Sequence, residues 1–137
     1  MRIIAGEKRG TVIRAPKGAN TRPTLDRVRE SLFGILQHEI PDASVLDLFA
    51  GSGALGLEAV SRGARFALLN DASREARLVI EANVKKLGFG DKTSLFCLDY
   101  AAALKRAAAA GWKFGVVFLD PPYGGGLIPG AMAALME

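Results

Sequence analysis

One segment limits what this chain can become more than any other. In Val45-Leu46-Asp47-Leu48-Phe49-Ala50-Gly51-Ser52-Gly53-Ala54-Leu55-Gly56 an apolar run leads straight into G-x-G-x-x-G and then into a helical pattern. Glycines at that spacing let the backbone turn sharply and let a ligand approach the start of the helix. Such a loop belongs at the C-terminal end of a parallel strand, so the rest of the chain must supply parallel partners and crossover helices. Twenty residues after Gly51 stands Asp71, at the end of the next apolar run. A carboxylate there can accept hydrogen bonds from ribose hydroxyls. Together these features call for an adenosine-type cofactor without choosing between a nicotinamide dinucleotide and S-adenosylmethionine.

Asp47 bears on that choice. A carboxylate just before the loop would face the pyrophosphate of a dinucleotide, an electrostatic misfit. S-adenosylmethionine has no phosphate; it carries an ammonium and a sulfonium. Asp47 can hold its amino-acid end, directly or through water. A second reading stays open, in which Asp47 ties down backbone N–H groups of the loop.

The flanking pattern agrees with a parallel sheet. Residues 2–5 and 11–15 read as two short strands about Gly6–Gly10, a β-hairpin closed by Pro16. Thr24 or Asp26 can cap a helix reaching about residue 39, with Val28, Leu32, Ile35 and Leu36 on its apolar face and Pro41 beyond it. Strands follow at 44–49, 65–69, 92–98 and 113–119, and helices at 54–61, 73–87, 100–110 and about 128–136. The expected fold class is α/β, a Rossmann-like sheet of parallel strands in the order 3-2-1-4 behind an N-terminal hairpin and helix. Residues 1–40 form the extension and 41–137 the ligand-binding unit. Four strands are half of a doubly wound sheet, so the C-terminal strands look missing. The apolar fourth strand then needs a neighbour, which a partner or second copy could supply; a complete chain is expected to be a monomer.

A second motif, Asp120-Pro121-Pro122-Tyr123, closes the fourth strand, on the rim where the glycine loop also lies. Two prolines stiffen the backbone and remove donors, which leaves carbonyls as acceptors. Asp120 is a further acceptor and Tyr123 a flat stacking surface. An exocyclic amino group on a planar base needs this set: acceptors for its N–H bonds and an aromatic clamp for the ring. Asp99 is a candidate acceptor for the adenine amino group of the cofactor, or else an N-cap for the helix at Tyr100. The candidate cofactor residues are Asp47, Phe49, Ala50, Gly51, Ser52, Gly53, Asp71 and Asp99. His38 reads as a helix-surface residue, Trp112 and Phe114 as packing, and Cys97 as a small buried hydrophobe.

Charge points to the partner. Residues 1–30 carry eight Lys/Arg against three acids, a net charge of +5, while the whole chain carries +4. A basic arm on a near-neutral body suggests a polyanion, nucleic acid first. One Cys and one His cannot assemble a zinc site, so no metal is expected. No run is apolar enough to span a bilayer, and a cytoplasmic location is the default expectation.

At these motifs the sequence resembles the amino-methylating S-adenosylmethionine methyltransferases that carry (N/D)PPY. Met1-Arg2-Ile3-Ile4-Ala5-Gly6, Arg22-Pro23-Thr24, Asp26-Arg27-Val28-Arg29-Glu30-Ser31-Leu32-Phe33, the glycine segment and Asp120-Pro121-Pro122-Tyr123 make it more specifically similar to the bacterial 16S ribosomal RNA guanine-N2 methyltransferase family. The resemblance runs to about residue 125. It implies guanine-N2 methylation of small-subunit ribosomal RNA on an assembled particle, with S-adenosylmethionine as donor and S-adenosylhomocysteine as product. It implies cofactor contacts at Asp47, Gly51, Gly53, Asp71 and Asp99, and base contacts at Asp120, Pro121, Pro122 and Tyr123. RNA contacts are expected from Arg2, Lys8, Arg9, Arg22, Arg27 and Arg29. Two departures stand out. Family members continue past the fourth strand with three more, and Asn70 stands where an aliphatic residue is more usual, which could shift the ribose contact. The rival readings are a DNA amino-methyltransferase acting on adenine N6 or cytosine N4, a noncatalytic RNA-binding fragment, and, third, a dehydrogenase.

Overall fold

A computed structural model describes residues 1–15 and 23–119. Four parallel strands form one sheet: β1 (Ser44–Asp47), β2 (Phe66–Asn70), β3 (Thr93–Phe96) and β4 (Val116–Phe118), in the order β3-β2-β1-β4. The crossovers are α2 (Ala54–Ser61), α3 (Arg74–Leu87) and α4 (Tyr100–Ala109), and α1 (Pro23–Ile35) precedes the sheet. The register sets Leu46 opposite Leu68 and Val117, and Asp47 opposite Leu69 and Phe118. The expected sheet order is therefore the observed one. Strands end earlier than the apolar runs do, because the runs continue into loops on the ligand rim. The helix expected near 128–136 lies outside the described residues.

Alternation along the strands divides the core in two. Val45, Ala67, Leu69, Val116 and Phe118 face one side, where they meet Ile3, Ile13, Phe33, Leu57, Ile80 and Leu87. Leu46, Leu48 and Leu68 face the other, against Ala103 and Ala107 of α4 and a group of aromatic rings. This period of two is what pleating dictates. Apolar residues of the first 40 positions thus share a core with the sheet.

The N-terminal arm is hairpin-like but shorter than expected. Arg2 and Val12 form a single antiparallel bridge. Ile3 N–H donates to the Thr11 carbonyl at 3.0 Å, and Ile13 N–H to the Met1 carbonyl at 2.8 Å.

Helix α1 corrects the sequence expectation. It ends at Ile35, and Val28 and Ile35 are 61% and 76% exposed. The inward residues are Arg29 and Phe33, with Leu32 and Leu36 packed at the margin. Phe33 sets the helix by packing on Phe118, ring centroids 5.6 Å apart. An arginine on the buried side hides the stripe from an apolar count. Cys97, expected to be buried, is only half-buried.

Candidate functional site

The glycine loop shows what each of its glycines is for. Gly51 and Gly53 take positive φ of 60° and 82°, a conformation that side chains resist. Gly53 is the residue before α2, and the Leu57 N–H donates to its carbonyl at 2.8 Å. Gly56 serves packing instead: a Cβ there would clash with Leu69 Cδ2 and sit 3.3 Å from Asp47 Cβ. Its absence lets α2 lie close on β1 and β2.

Two carboxylates hold this loop from below and beside. Asp47 is buried at the end of β1, and its Oδ2 accepts the Gly56 N–H at 3.0 Å. That is the backbone-tethering role, exercised on the helix rather than the loop itself. Asp71, half-buried after β2, accepts the Gly51 N–H through Oδ2 at 2.9 Å and the Ser73 N–H through Oδ1 at 2.8 Å. Each carboxylate oxygen keeps a further lone pair for another donor. Ser73 then caps α3 by accepting the Ala76 N–H at 3.2 Å.

Asp99 is exposed after β3, and its Oδ1 accepts the Ala102 N–H at 2.9 Å. The capping role foreseen for it is present; it occupies one oxygen. Phe49 lies beside Tyr100, centroids 6.0 Å apart. Ala50 and Ser52 are buried, and the Ala50 N–H extends the strand ladder to the Asn70 carbonyl at 2.8 Å. The structure thus gathers Asp47, Phe49, Ala50, Gly51, Ser52, Gly53, Asp71 and Asp99 at the C-terminal ends of β1, β2 and β3.

Of two buried asparagines, the sequence reading assigned Asn70 a different role and passed over Asn83. Asn70 is buried; its Nδ2 donates to the carbonyls of Leu48 (3.1 Å) and Leu98 (3.0 Å), and its Oδ1 accepts the Leu98 N–H at 3.2 Å. It ties together the segments that carry Phe49 and Asp99 and points into the sheet, away from the ribose position considered for it. Asn83 of α3 bonds the backbone of Arg14 and the carbonyl of Ser52. The available signal was position: Asn83 falls on the inward stripe of Ala76, Ile80 and Leu87. A polar residue on a buried stripe must have partners.

The basic arm is stitched to α2 through polar groups. Glu58, fully buried, accepts the N–H groups of Ile4 (2.7 Å) and Ala5 (3.0 Å) and pairs with Arg62 at 2.8 Å. Ser61 Oγ donates to the Ala5 carbonyl at 2.7 Å and accepts the Lys8 N–H at 2.9 Å. Gly6 passes so close that a Cβ would strike the Ser61 carbonyl.

Arg29 corrects an expectation. Only 6% exposed, it cannot offer its charge to RNA. Its Nη2 donates to the Arg2 carbonyl at 2.6 Å, and its Nη1 lies 3.6 Å from Glu58 Oε1. It anchors the arm. Arg2, Arg9 and Arg27 are exposed, and Lys8 is half-buried. Arg22 and the Asp120-Pro121-Pro122-Tyr123 motif lie outside the described residues; β4 reaches this same rim, with Phe118 paired to Asp47. A surface groove lined by Phe66, Trp112 and Phe114 opens at the opposite rim, far along the strands from the glycine loop.

The family model described as "Conserved hypothetical protein 95" matches residues 1–137. The chain belongs to that family. It is 41% identical over 128 residues to the Escherichia coli (strain K12) protein named "Ribosomal RNA small subunit methyltransferase D", covering 93% of this chain and 63% of that protein. It is 34% identical over 137 residues to the Haemophilus influenzae protein of the same name, covering all of this chain and 71% of the relative. The chain thus spans about two thirds of the length of the curated relatives it matches. Among solved structures, a hypothetical protein of Thermus thermophilus superposes with a TM-score of 0.85 at 36% identity, covering 99% of this chain and 77% of that one. The family resemblance read in the sequence and the sheet order are both borne out.

Proposed function

We propose that this family member is an S-adenosylmethionine-dependent methyltransferase that methylates the N2 amino group of a guanine in small-subunit ribosomal RNA. The observation that carries the cofactor class is the use of the loop amides. In a phosphate-binding loop the N–H groups are left for the anion. Here the Gly51 N–H is taken by Asp71 and the Gly53 N–H by the Ala50 carbonyl, and in the first turn of α2 the Gly56 N–H is taken by Asp47. A loop lined by two carboxylates repels pyrophosphate and suits a ligand that offers ribose hydroxyls, an ammonium and a sulfonium. The donor set therefore fits S-adenosylmethionine. The names of the relatives favour ribosomal RNA over DNA as substrate, and that substrate implies a cytoplasmic protein.

Bound S-adenosylmethionine would supply an electrophilic methyl on its sulfonium. The residues of the chain divide the remaining work. Asp71 holds the ribose hydroxyls, Asp99 the adenine amino group, and the loop from Phe49 to Gly53 forms the floor, braced from beneath by Asp47. The target guanine leaves its stack, and Tyr123 clamps its ring. Asp120 and the Pro121 carbonyl would accept the two N2 hydrogens, beside Pro122, and so orient the amino nitrogen for methylation. The rate gain comes mainly from this orientation, and the proton is released to water after transfer. Arg2, Lys8, Arg9, Arg22 and Arg27 hold RNA phosphates, a contact that weakens steeply with salt.

The test is transfer of labelled methyl to small-subunit particles, free ribosomal RNA and duplex DNA. Label in guanine of the particles supports the proposal; label in adenine or cytosine of DNA overturns it. Asp120→Ala is expected to abolish transfer and keep S-adenosylhomocysteine affinity, read by calorimetry. Loss of that affinity in a folded variant would contradict the division of roles.

A further inference from the structure

We infer that Asn83 is a positioning residue that couples the basic arm to the glycine loop, so that the seating of the arm on α3 sets the affinity of the loop for its cofactor; the inference rests on the cofactor reading above. Asn83 is 1% exposed. Its Nδ2 donates both hydrogens, one to the Arg14 carbonyl and one to the Ser52 carbonyl, each at 2.9 Å. Its Oδ1 accepts the Arg14 N–H at 2.8 Å. One side chain thus joins the end of the arm to the middle of the loop, and the amide spends both of its donors in doing so.

The arm touches the loop a second time at the same residue. Ser52 Oγ donates to Met1 Sδ at 3.5 Å, and Met1 is held through its carbonyl by the Ile13 N–H. Ser52 lies between Gly51 and Gly53, both in left-handed backbone. Two flanking glycines leave the segment more conformers than any other residue pair would. A single loop shape then depends on what holds Ser52: one tether comes from the arm at Met1, and the other from an α3 side chain that the arm also engages at Arg14. The far part of the arm is fastened independently, by Glu58 and Ser61 on α2. Losing Asn83 therefore removes three of the bonds between arm, α3 and loop and leaves only the long Ser52–Met1 contact, without detaching the arm. Coupling of this kind is reciprocal: cofactor that orders the loop must order the arm end as well. Arg14 is exposed at that arm end, so a polyanion resting on it would act on the loop through the same three bonds.

The experiment combines hydrogen exchange, read by mass spectrometry, with calorimetric titration of S-adenosylhomocysteine. It uses the full chain, Asn83→Ala, Asn83→Asp and Ser61→Ala. Asn83→Asp keeps the acceptor for the Arg14 N–H and removes both donors, with little change in shape. Both Asn83 variants should speed exchange in residues 8–15 and 48–57 together, leave β2 and α4 unchanged, and weaken S-adenosylhomocysteine by about tenfold, within the usual range of coupling between sites. Ser61→Ala should speed exchange in the arm alone and keep affinity within about twofold. Faster exchange in the arm with an unchanged loop and unchanged affinity would overturn the inference. The unsubstituted chain gives a reading free of folding defects: saturating S-adenosylhomocysteine should slow exchange in residues 8–15, and no slowing overturns the coupling. If the unsubstituted chain takes up no S-adenosylhomocysteine, the cofactor reading fails, and the joint exchange response of arm and loop still decides for or against the coupling.

Discussion

The two faces of the sheet are built by different means. On the α4 face, Trp112 stacks on Phe96 at 5.7 Å and meets Phe66 and Phe114 edge-on at 5.5 and 6.5 Å, while Ala103 and Ala107 bring the helix close. On the other face, apolar packing is interrupted by Arg29, Glu58, Ser61 and Asn83, all buried and all bonded to backbone of the arm. Apolar contact is nondirectional and tolerates small shifts. Buried hydrogen bonds fix one arrangement, and leaving one unmade is costly. The difference shows where placement matters: the polar face, which also holds the larger apolar cluster, carries the arm and the glycine loop, and the aromatic face is held by nondirectional contact.

Substitutions on the two faces should therefore differ in kind, and the largest effect belongs to Glu58→Ala. It takes a carboxylate away from the buried guanidinium of Arg29, from Arg62 and from two arm N–H groups, with an expected cost of about 3–5 kcal/mol in denaturant unfolding. It should also expose residues 1–15 to protease. An arm that stays protected would break the contrast between the faces. Trp112→Ala should cost about 2 kcal/mol, less than a fully buried ring would, and leave S-adenosylhomocysteine affinity unchanged in the folded protein. An affinity change there would mean that the aromatic face reaches the site.

Asp99→Ala sharpens the comparison at the rim. Loss of the α4 cap should cost about 1 kcal/mol in thermal unfolding, together with a weaker cofactor affinity if the carboxylate does both jobs. The smallest effect on stability belongs to Arg9→Ala, which should fall within about 0.5 kcal/mol. That exposed residue should instead weaken binding to ribosomal RNA and flatten its salt dependence.

Much of the frame was legible because it rests on local pattern. Val45 to Gly56 announced a strand, a glycine loop and a helix, and the glycines do occupy the turn, the helix start and the close contact. Gly63 and Gly88, both at positive φ, end α2 and α3 where expected. What escaped is long-range and polar. Arg29 read as a surface cation because nothing nearby in sequence reveals Glu58, its partner across the arm. Asn70 read as a perturbation of the ribose contact, whereas its three bonds go to Leu48 and Leu98, chain segments whose proximity only the sheet creates. Val28 and Ile35 read as core because apolar spacing cannot tell which side of α1 faces Phe118.

The central claim is that the carboxylate-lined glycine loop takes S-adenosylmethionine and its product rather than a dinucleotide. Calorimetric titration of the chain with S-adenosylhomocysteine, beside an NADH control, addresses it directly. Saturable binding at one site is expected for S-adenosylhomocysteine and none for NADH. A folded chain that binds NADH, or neither ligand, would contradict the claim.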